Sequence, residues 1–295
     1  QACLRRRTNG MAQQNVGGKT KIIWMKIILF VLFTLLAIVI LVPFAAMVIA
    51  SFKDGKELIQ YGLNLKIEPA KMSLKNYVYL FTGEHSYFTW FINSVFLTVV
   101  QVVLTLLVSA CVGYGFAAYN FKGKNFFFVC VLLILMVPFE ILMLPLYNQM
   151  IGMKLSNTYT GIVLPFMANA STIFFFRQYL EGIPKELISA GRVDGATEYG
   201  IFARLIFPIM KPAMASMAIL NGMTYWNNFL WPLLILRDDK KYTLPIGLNT
   251  LLTPYGNNYD LLIVGSCFSV IPILILFLCF QKYFIEGMVA GAVKG

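Results

Sequence analysis

The chain has 295 residues, 59% of them hydrophobic and 13% charged, with a mean hydropathy of +0.73. Soluble domains carry about 25% charged residues, and a water-soluble fold of this length has too little interior to hide so much apolar surface, so lipid is the expected solvent for much of it. The formal charge of +11 does not indicate a nucleic-acid partner: the 24 Lys and Arg sit in loops around apolar spans, with no basic, aromatic-interleaved surface module.

In chain order, residues 1–24 read as a cytoplasmic N-terminal segment, with the first ten, upstream of Met11, expected to lie outside the fold. "GGKT" at Gly17 to Thr20 has the ending of a phosphate-binding loop, but Gln13 stands where the first glycine is needed and no strand precedes it, so no nucleotide site is expected. Six apolar stretches then follow, near 25–51, 89–118, 125–147, 158–179, 207–235 and 261–283. Each is long enough for the roughly 20 helical residues that cross a hydrocarbon core, and none alternates as barrel strands would. Pro138, Pro145, Pro165 and Pro232 fall inside them and predict kinks. The expected fold class is therefore all-α and polytopic, with six transmembrane helices over residues 25–285 and a tail over 286–295.

Assigned to alternate loops, the Lys and Arg divide fifteen to nine in favour of the side that holds both termini and the segment 180–207. By the positive-inside rule that side is the cytoplasm, leaving residues 52–88 and 237–260 outside. Cys3, Cys111, Cys130, Cys267 and Cys279 include no CxxC pair and, apart from Cys3, lie in apolar runs; they read as small buried hydrophobes, with no metal and no disulfide framework. The single histidine, His85, sits in an outer loop without a catalytic grouping, so no enzyme activity is expected.

"PKELISAGRVDGATEYGIFARLIFP", Pro184 to Pro208, breaks the apolar pattern. Pro184 suits a first helical turn and Glu186 the positive end of the helix dipole. Leu187, Ile188 and Gly191 share a face, and Asp194-Gly195 is a turn pair in which glycine supplies positive φ. Thr197 is a candidate N-cap for a second helix through Tyr199, Phe202 and Ile206. An interfacial amphipathic loop would explain such a segment, but about 27 residues of two-signed helix–turn–helix also suit docking into a groove on a soluble partner, with Gly191 allowing close backbone approach.

"IPKELISAGRVDGATEYGIFARLIFPIMKP" resembles the EAA signature of permease subunits in binding-protein-dependent ABC importers. "MVPFEILMLPLYNQMIGMKLSNTYTGIVLPF", "YWNNFLWPLLIL" and the ending "QKYFIEGMVAGAVKG" resemble the MalG-type sugar permeases, so that the similarity covers most of the chain. The resemblance implies a coupling helix at Pro184 to Gly195 seated in a cleft of an ATPase subunit. Its contacts would come from Glu186, Leu187, Ser189, Ala190, Gly191, Arg192, Asp194, Gly195 and Ala196. Ser189 stands where the signature has its glutamate, and Gly191 where it has its second alanine; Glu186 and Arg192 would supply part of the lost polar contact. The resemblance also implies a homologous second permease, two ATPase subunits carrying ATP and Mg, an extracytoplasmic sugar-binding protein, and a bacterial inner-membrane location. This chain itself would bind no cofactor, and its tail, Gly287 to Gly295, would reach the ATPase interface.

For the translocation pathway, polar and aromatic residues at membrane depth are the candidates, because they are costly unless they face a cavity or another helix. Asn93, Gln101, Tyr114, Glu140, Asn148, Asn169, Ser171 and Thr172 are among them, and the richest cluster is Asn221, Tyr225, Trp226, Asn227, Asn228 and Trp231. Amides can bond sugar hydroxyls and aromatic rings can cover a pyranose face; interhelical bonding or an interface belt is the alternative for each. An ion-coupled secondary transporter working without an ATPase is the rival reading. It would lead one to expect internal repeats and several intramembrane ionisable groups, whereas Glu140 is the only acid well inside a span.

Overall fold

The computed structural model describes the backbone of residues 2–83, 86–253 and 256–292, and the side chains of 23–83, 86–252 and 257–282. His85 and the side chains of Cys3 and of the tail from Gly287 lie outside what the structure describes. Two units divide the chain, Gln1–Phe81 and Thr82–Gly295.

In the first unit, α1 runs Ala2–Ser51, well before the expected start near residue 25, and carries "GGKT" within the helix. Its 29-residue stretch Ile23–Ser51 contains an 18-residue window of mean hydropathy 3.2. At 1.5 Å per residue that is about 44 Å, enough to cross a core of about 30 Å with tilt. The following connector is ordered by polar contacts. Asp54 caps α2 (Gly55–Tyr61) by accepting from the Lys56 amide at 2.9 Å. Lys71 bridges Glu57 at 2.9 Å and Glu68 at 2.7 Å. At the start of α3 (Lys75–Thr82), Asn76 donates to the carbonyls of Ser51 and Lys53, returning the segment to the end of α1.

The second unit is organised on α4, Tyr87–Ala118, which packs along α8 and α12. Its buried side carries Ser94, Thr98, Gln101, Thr105 and Ser109 at spacings of three and four, one helical face. Close contact is possible because Gly113 sits against α8: a Cβ there would come within 2.9 Å of the Phe176 Cβ. The last long helix, α15, covers Tyr259–Ala292 and packs on α12 and α4.

Three of the expected spans are broken. α5 (Lys124–Met136) and α6 (Phe139–Gly152) meet at 106°. The residue before a proline is pushed out of the helical region, and Val137, before Pro138, is extended with ψ 118°. α7 (Tyr159–Val163), with a 3₁₀ turn to Phe166, meets α8 (Ala170–Glu181) at 42°, where Asn169 caps α8 by accepting from the Thr172 amide. The chain then forms α9 (Glu186–Val193), α10 (Glu198–Ile201), a π turn Phe202–Ile206 and α11 (Phe207–Ile209), and bends by 72° into α12 (Lys211–Trp226). The stretch expected to be one span over 207–235 is thus two helices, α12 and α13 (Leu230–Ile235), joined at Asn227–Phe229. Among the described residues, three helices are long and apolar enough to cross a membrane, or up to six spans if each bent pair is one.

Trp231 fills the region where the breaks gather. It is fully buried, its ring lies edge-on to Phe166 at 5.7 Å and to Phe139 at 6.2 Å, and Nε1 donates to the Gly161 carbonyl at 3.2 Å. Around it Leu97, Met150, Ile162, Ile235 and Ile246 form one core on the N-terminal half of α4. A second core gathers Leu106, Ala110, Tyr114, Phe176, Ile201, Ile206 and Met210 on the C-terminal half. The helix α14 (Leu244–Thr250) is pinned near the N-terminal end of α4, where the Leu244 amide donates to Ser94 Oγ at 2.7 Å. A two-residue antiparallel pairing, Leu252–Thr253 with Gly256–Asn257, is the only strand structure among the described residues.

No disulfide joins Cys111, Cys130, Cys267 or Cys279, the cysteines whose side chains are described; Cys111 and Cys279 are exposed and the other two half-buried.

Candidate functional site

Residues 180–207 form a knob at the C-terminal end of α4. Its root is apolar: Ile183, Ile188 and Phe202 pack against the core of Ile201, Ile206, Phe176 and Tyr114. α9 begins directly after Pro184 and Lys185, carries Glu186 in its first turn and Arg192 in its last, and so matches both ends of its dipole. It stops at Asp194, and Gly195 takes φ +76°, a conformation that L side chains rarely adopt. Thr197 Oγ1 then accepts from the Gly200 amide at 3.1 Å and starts α10.

Gly191 is placed differently from the expectation. It is buried and turned inward: a Cβ would sit 3.0 Å from Ile201 Cγ1 and 3.0 Å from Leu205 Cδ1. Its missing side chain lets the two arms of the knob close on each other and offers no bare face to a partner. Arg192 is likewise engaged at home, with Nε donating to Glu198 Oε1 at 2.6 Å and one terminal nitrogen to Oε2 at 3.2 Å. Glu186, Leu187, Ser189 and Ala190 on α9 and Asp194, Gly195 and Ala196 at the turn are all exposed, and so is Arg192 despite its pairing with Glu198. Two residues the motif did not single out dominate the tip: Val193 and Tyr199 are each 88% exposed. A sequence signal existed for them, since both fall off the inward face set by Ile188, Gly191, Ile201 and Phe202.

The pathway candidates scatter. Asn221 is buried and its amide donates to Thr172 Oγ1 at 3.0 Å, joining α12 to α8. Trp226 donates from Nε1 to the Ser269 carbonyl of α15, and the Tyr225 hydroxyl lies 3.0 Å from Thr105 Oγ1 of α4. Trp231, fully enclosed, cannot present its ring to a passing molecule in this conformation. Asn93 donates to the carbonyls of Lys240 and Tyr242, while Asn169, accepting from Ser171 and Thr172, is a helix cap. Asn221, Tyr225, Trp226 and Trp231 thus bond between helices, Asn93 bonds to a connection, and Asn169 is a local cap. Asn227, exposed, and Asn228, half-buried, remain available at the break between α12 and α13; Asn227 spends one donor on the Met223 carbonyl. On α6, Asn148 is exposed, and Glu140 is exposed in the first turn, where the helix dipole favours its charge. Gln101, buried, has no hydrogen-bond partner for Nε2 among the described residues.

Among the described residues, three long apolar helices and three bent helix pairs, with a charged helix–turn–helix at one end of α4, are the architecture of a polytopic membrane protein. The signature of the binding-protein-dependent transport system inner membrane component family matches residues 109–289, and the chain belongs to that family. It is 53% identical over 263 residues to the arabinooligosaccharides transport system permease protein AraQ of Halalkalibacterium halodurans, spanning 89% of this chain and 94% of that protein. It is 50% identical over 270 residues to the protein of the same name from Bacillus subtilis, over 92% and 96%. A crystal structure of a bacterial ABC transporter involved in the import of the acidic polysaccharide alginate contains a chain of the same fold, with TM-score 0.78 and 23% identity over 88% of this chain and 96% of that one.

Proposed function

We propose that this chain is a transmembrane permease subunit of an ATP-driven carbohydrate importer, forming half of the translocation pathway and taking its drive from an ATPase subunit at the knob. The observation that carries the reading is the form of the knob: a rigidly rooted helix–turn–helix whose tip presents Val193 and Tyr199 to solvent on either side of a positive-φ glycine. Apolar side chains so exposed on a small, braced projection suit a groove on a soluble partner. The polar neighbours Glu186, Ser189 and Asp194 would rim that contact, with Leu187, Ala190, Gly195 and Ala196 packed inside it.

The remaining assignments follow from that one. With the knob in the cytoplasm, the charge bias of the loops would put both termini there too and leave the segments 52–88 and 237–260 outside. Those outer segments would meet the sugar-loaded binding protein. A homologous permease would complete the path, to which Asn148, Asn227 and Asn228 contribute hydrogen-bonding groups. ATP and Mg would be held by two separate ATPase subunits, and this chain would hydrolyse nothing. The names of the two relatives make an arabinooligosaccharide the first substrate to test.

The test is reconstitution of the chain with companion permease, ATPase and binding protein in proteoliposomes, with ATP hydrolysis measured with and without arabinooligosaccharide. Stimulated hydrolysis that disappears in Gly195→Trp, while the variant stays inserted in the membrane, is the expected result. Uptake driven by a proton gradient without ATPase subunits would contradict the reading.

A further inference from the structure

Tyr119 is the first residue beyond α4, and its amide still donates to the Gly115 carbonyl, so it moves with that helix. Its hydroxyl donates to Glu198 Oε2 at 2.6 Å across 79 residues of sequence. The same carboxylate accepts the Arg192 guanidinium through both oxygens, at 2.6 and 3.2 Å. Arg192 closes α9 and Glu198 opens α10, so one carboxylate ties both arms of the knob to the end of α4. Lys124 Nζ donates to the Tyr119 carbonyl at 3.0 Å and brings the start of α5 into the same joint. Ring packing extends it inward: Tyr119 lies edge-on to Tyr114 at 5.7 Å, and Tyr114 lies on Phe202 at 5.0 Å. Burial, with the Glu198 carboxylate beside it, pushes the Tyr119 hydroxyl well above the ordinary phenol range, so it keeps the proton it donates.

The covalent route onward from the knob to α12 is of another kind. It passes through a π turn and a 72° bend before reaching α12. A π turn and a bend interrupt the i to i−4 ladder, so this route is not one continuous helix. Bidentate and charge-assisted hydrogen bonds fix direction as well as distance. We propose that the Tyr119–Glu198–Arg192 joint is the rigid connection by which displacement of the knob is delivered to α4, with Tyr119 and Glu198 acting as positioning residues. The proposal rests on the reading that an ATPase subunit seats the knob.

The test uses the complete transporter in proteoliposomes, with wild type, Tyr119→Phe, Glu198→Gln and the double variant. Three quantities are read for each: ATPase subunit retained on purification, ATP hydrolysed, and arabinooligosaccharide taken up per ATP. Retention and hydrolysis are expected to stay within about twofold of wild type, while uptake per ATP falls at least about threefold in each single variant. The double variant is expected to match the worse single one, because both remove the same connection. A merely structural role lowers uptake and hydrolysis together and leaves their ratio alone. An unchanged ratio, or loss of the ATPase subunit along with uptake, would overturn the joint. Failure of the wild-type chain to retain ATPase subunits would instead overturn the docking reading, and the joint with it.

Discussion

Gly191 and Gly195 stand four residues apart and do opposite work. Gly191 makes room between two arms, whereas Gly195 has nothing within 4 Å of where a side chain would go and is demanded by backbone conformation alone. Gly191→Val must push Ile201 and Leu205 aside, and overpacking of this kind costs about 1–3 kcal/mol. We expect it to loosen the knob, seen as faster amide exchange over 185–206 with the rest of the bundle unchanged. The turn pair Asp194-Gly195 was legible in the sequence because its chemistry is local. The inward role of Gly191 was not, since the side chains it accommodates lie ten and fourteen residues further on, across a turn whose angle the sequence does not specify. Trp231 misled for the same reason. Its amphipathic ring suited a sugar face, but it closes the core between three broken elements. Trp231→Ala empties a packed aromatic site, a loss of about 3–5 kcal/mol, and should lower thermal stability in detergent markedly.

Among the elements, hydropathy located the apolar stretches because that signal sums over about 20 residues. It did not reveal that α5 turns through 106° into α6, or that α12 and α13 are separate. Pro138 marked where a helix must break, yet the angle depends on packing against Trp231 and Phe166, contacts remote in sequence. Asn169, by contrast, carried a readable local signal: an amide at a helix start is a cap before it is a pathway group. The connector 52–74 shows how charge orders a segment outside the spans. Lys71 holds the Glu68 carboxyl below its ordinary value of 4.5, while Glu68 and then Glu57 raise Lys71 above its ordinary 10.5. A lowered carboxyl contributes stability that is full above 4.5 and is lost as pH falls through the lowered value; a raised amine contributes below 10.5 and is lost only above its raised value. Both contributions are full between those limits. Amide protection factors over 56–71, corrected for the intrinsic pH dependence of exchange, should therefore stay flat from about pH 5 to 10 and fall below 4.5, and Lys71→Met should weaken that acid dependence, leaving the part that Asp54 carries as the cap of α2.

Within Thr82–Gly295 the two ends of α4 differ. One end of α4 holds α14 and the connection after Arg237, and the other holds the knob; the cores of Trp231 and of Phe176 lie between. A bundle built this way can receive a load at one end and respond at the other, provided a motor engages the tip. The most direct measurement replaces Ala196, at the exposed turn, with cysteine and follows its labelling by a water-soluble maleimide against the unsubstituted protein. In membranes holding the assembled transporter, the ATPase subunits should protect position 196 strongly, and labelling should recover when they are stripped away. Labelling of position 196 at the same rate with and without those subunits would contradict docking at the knob.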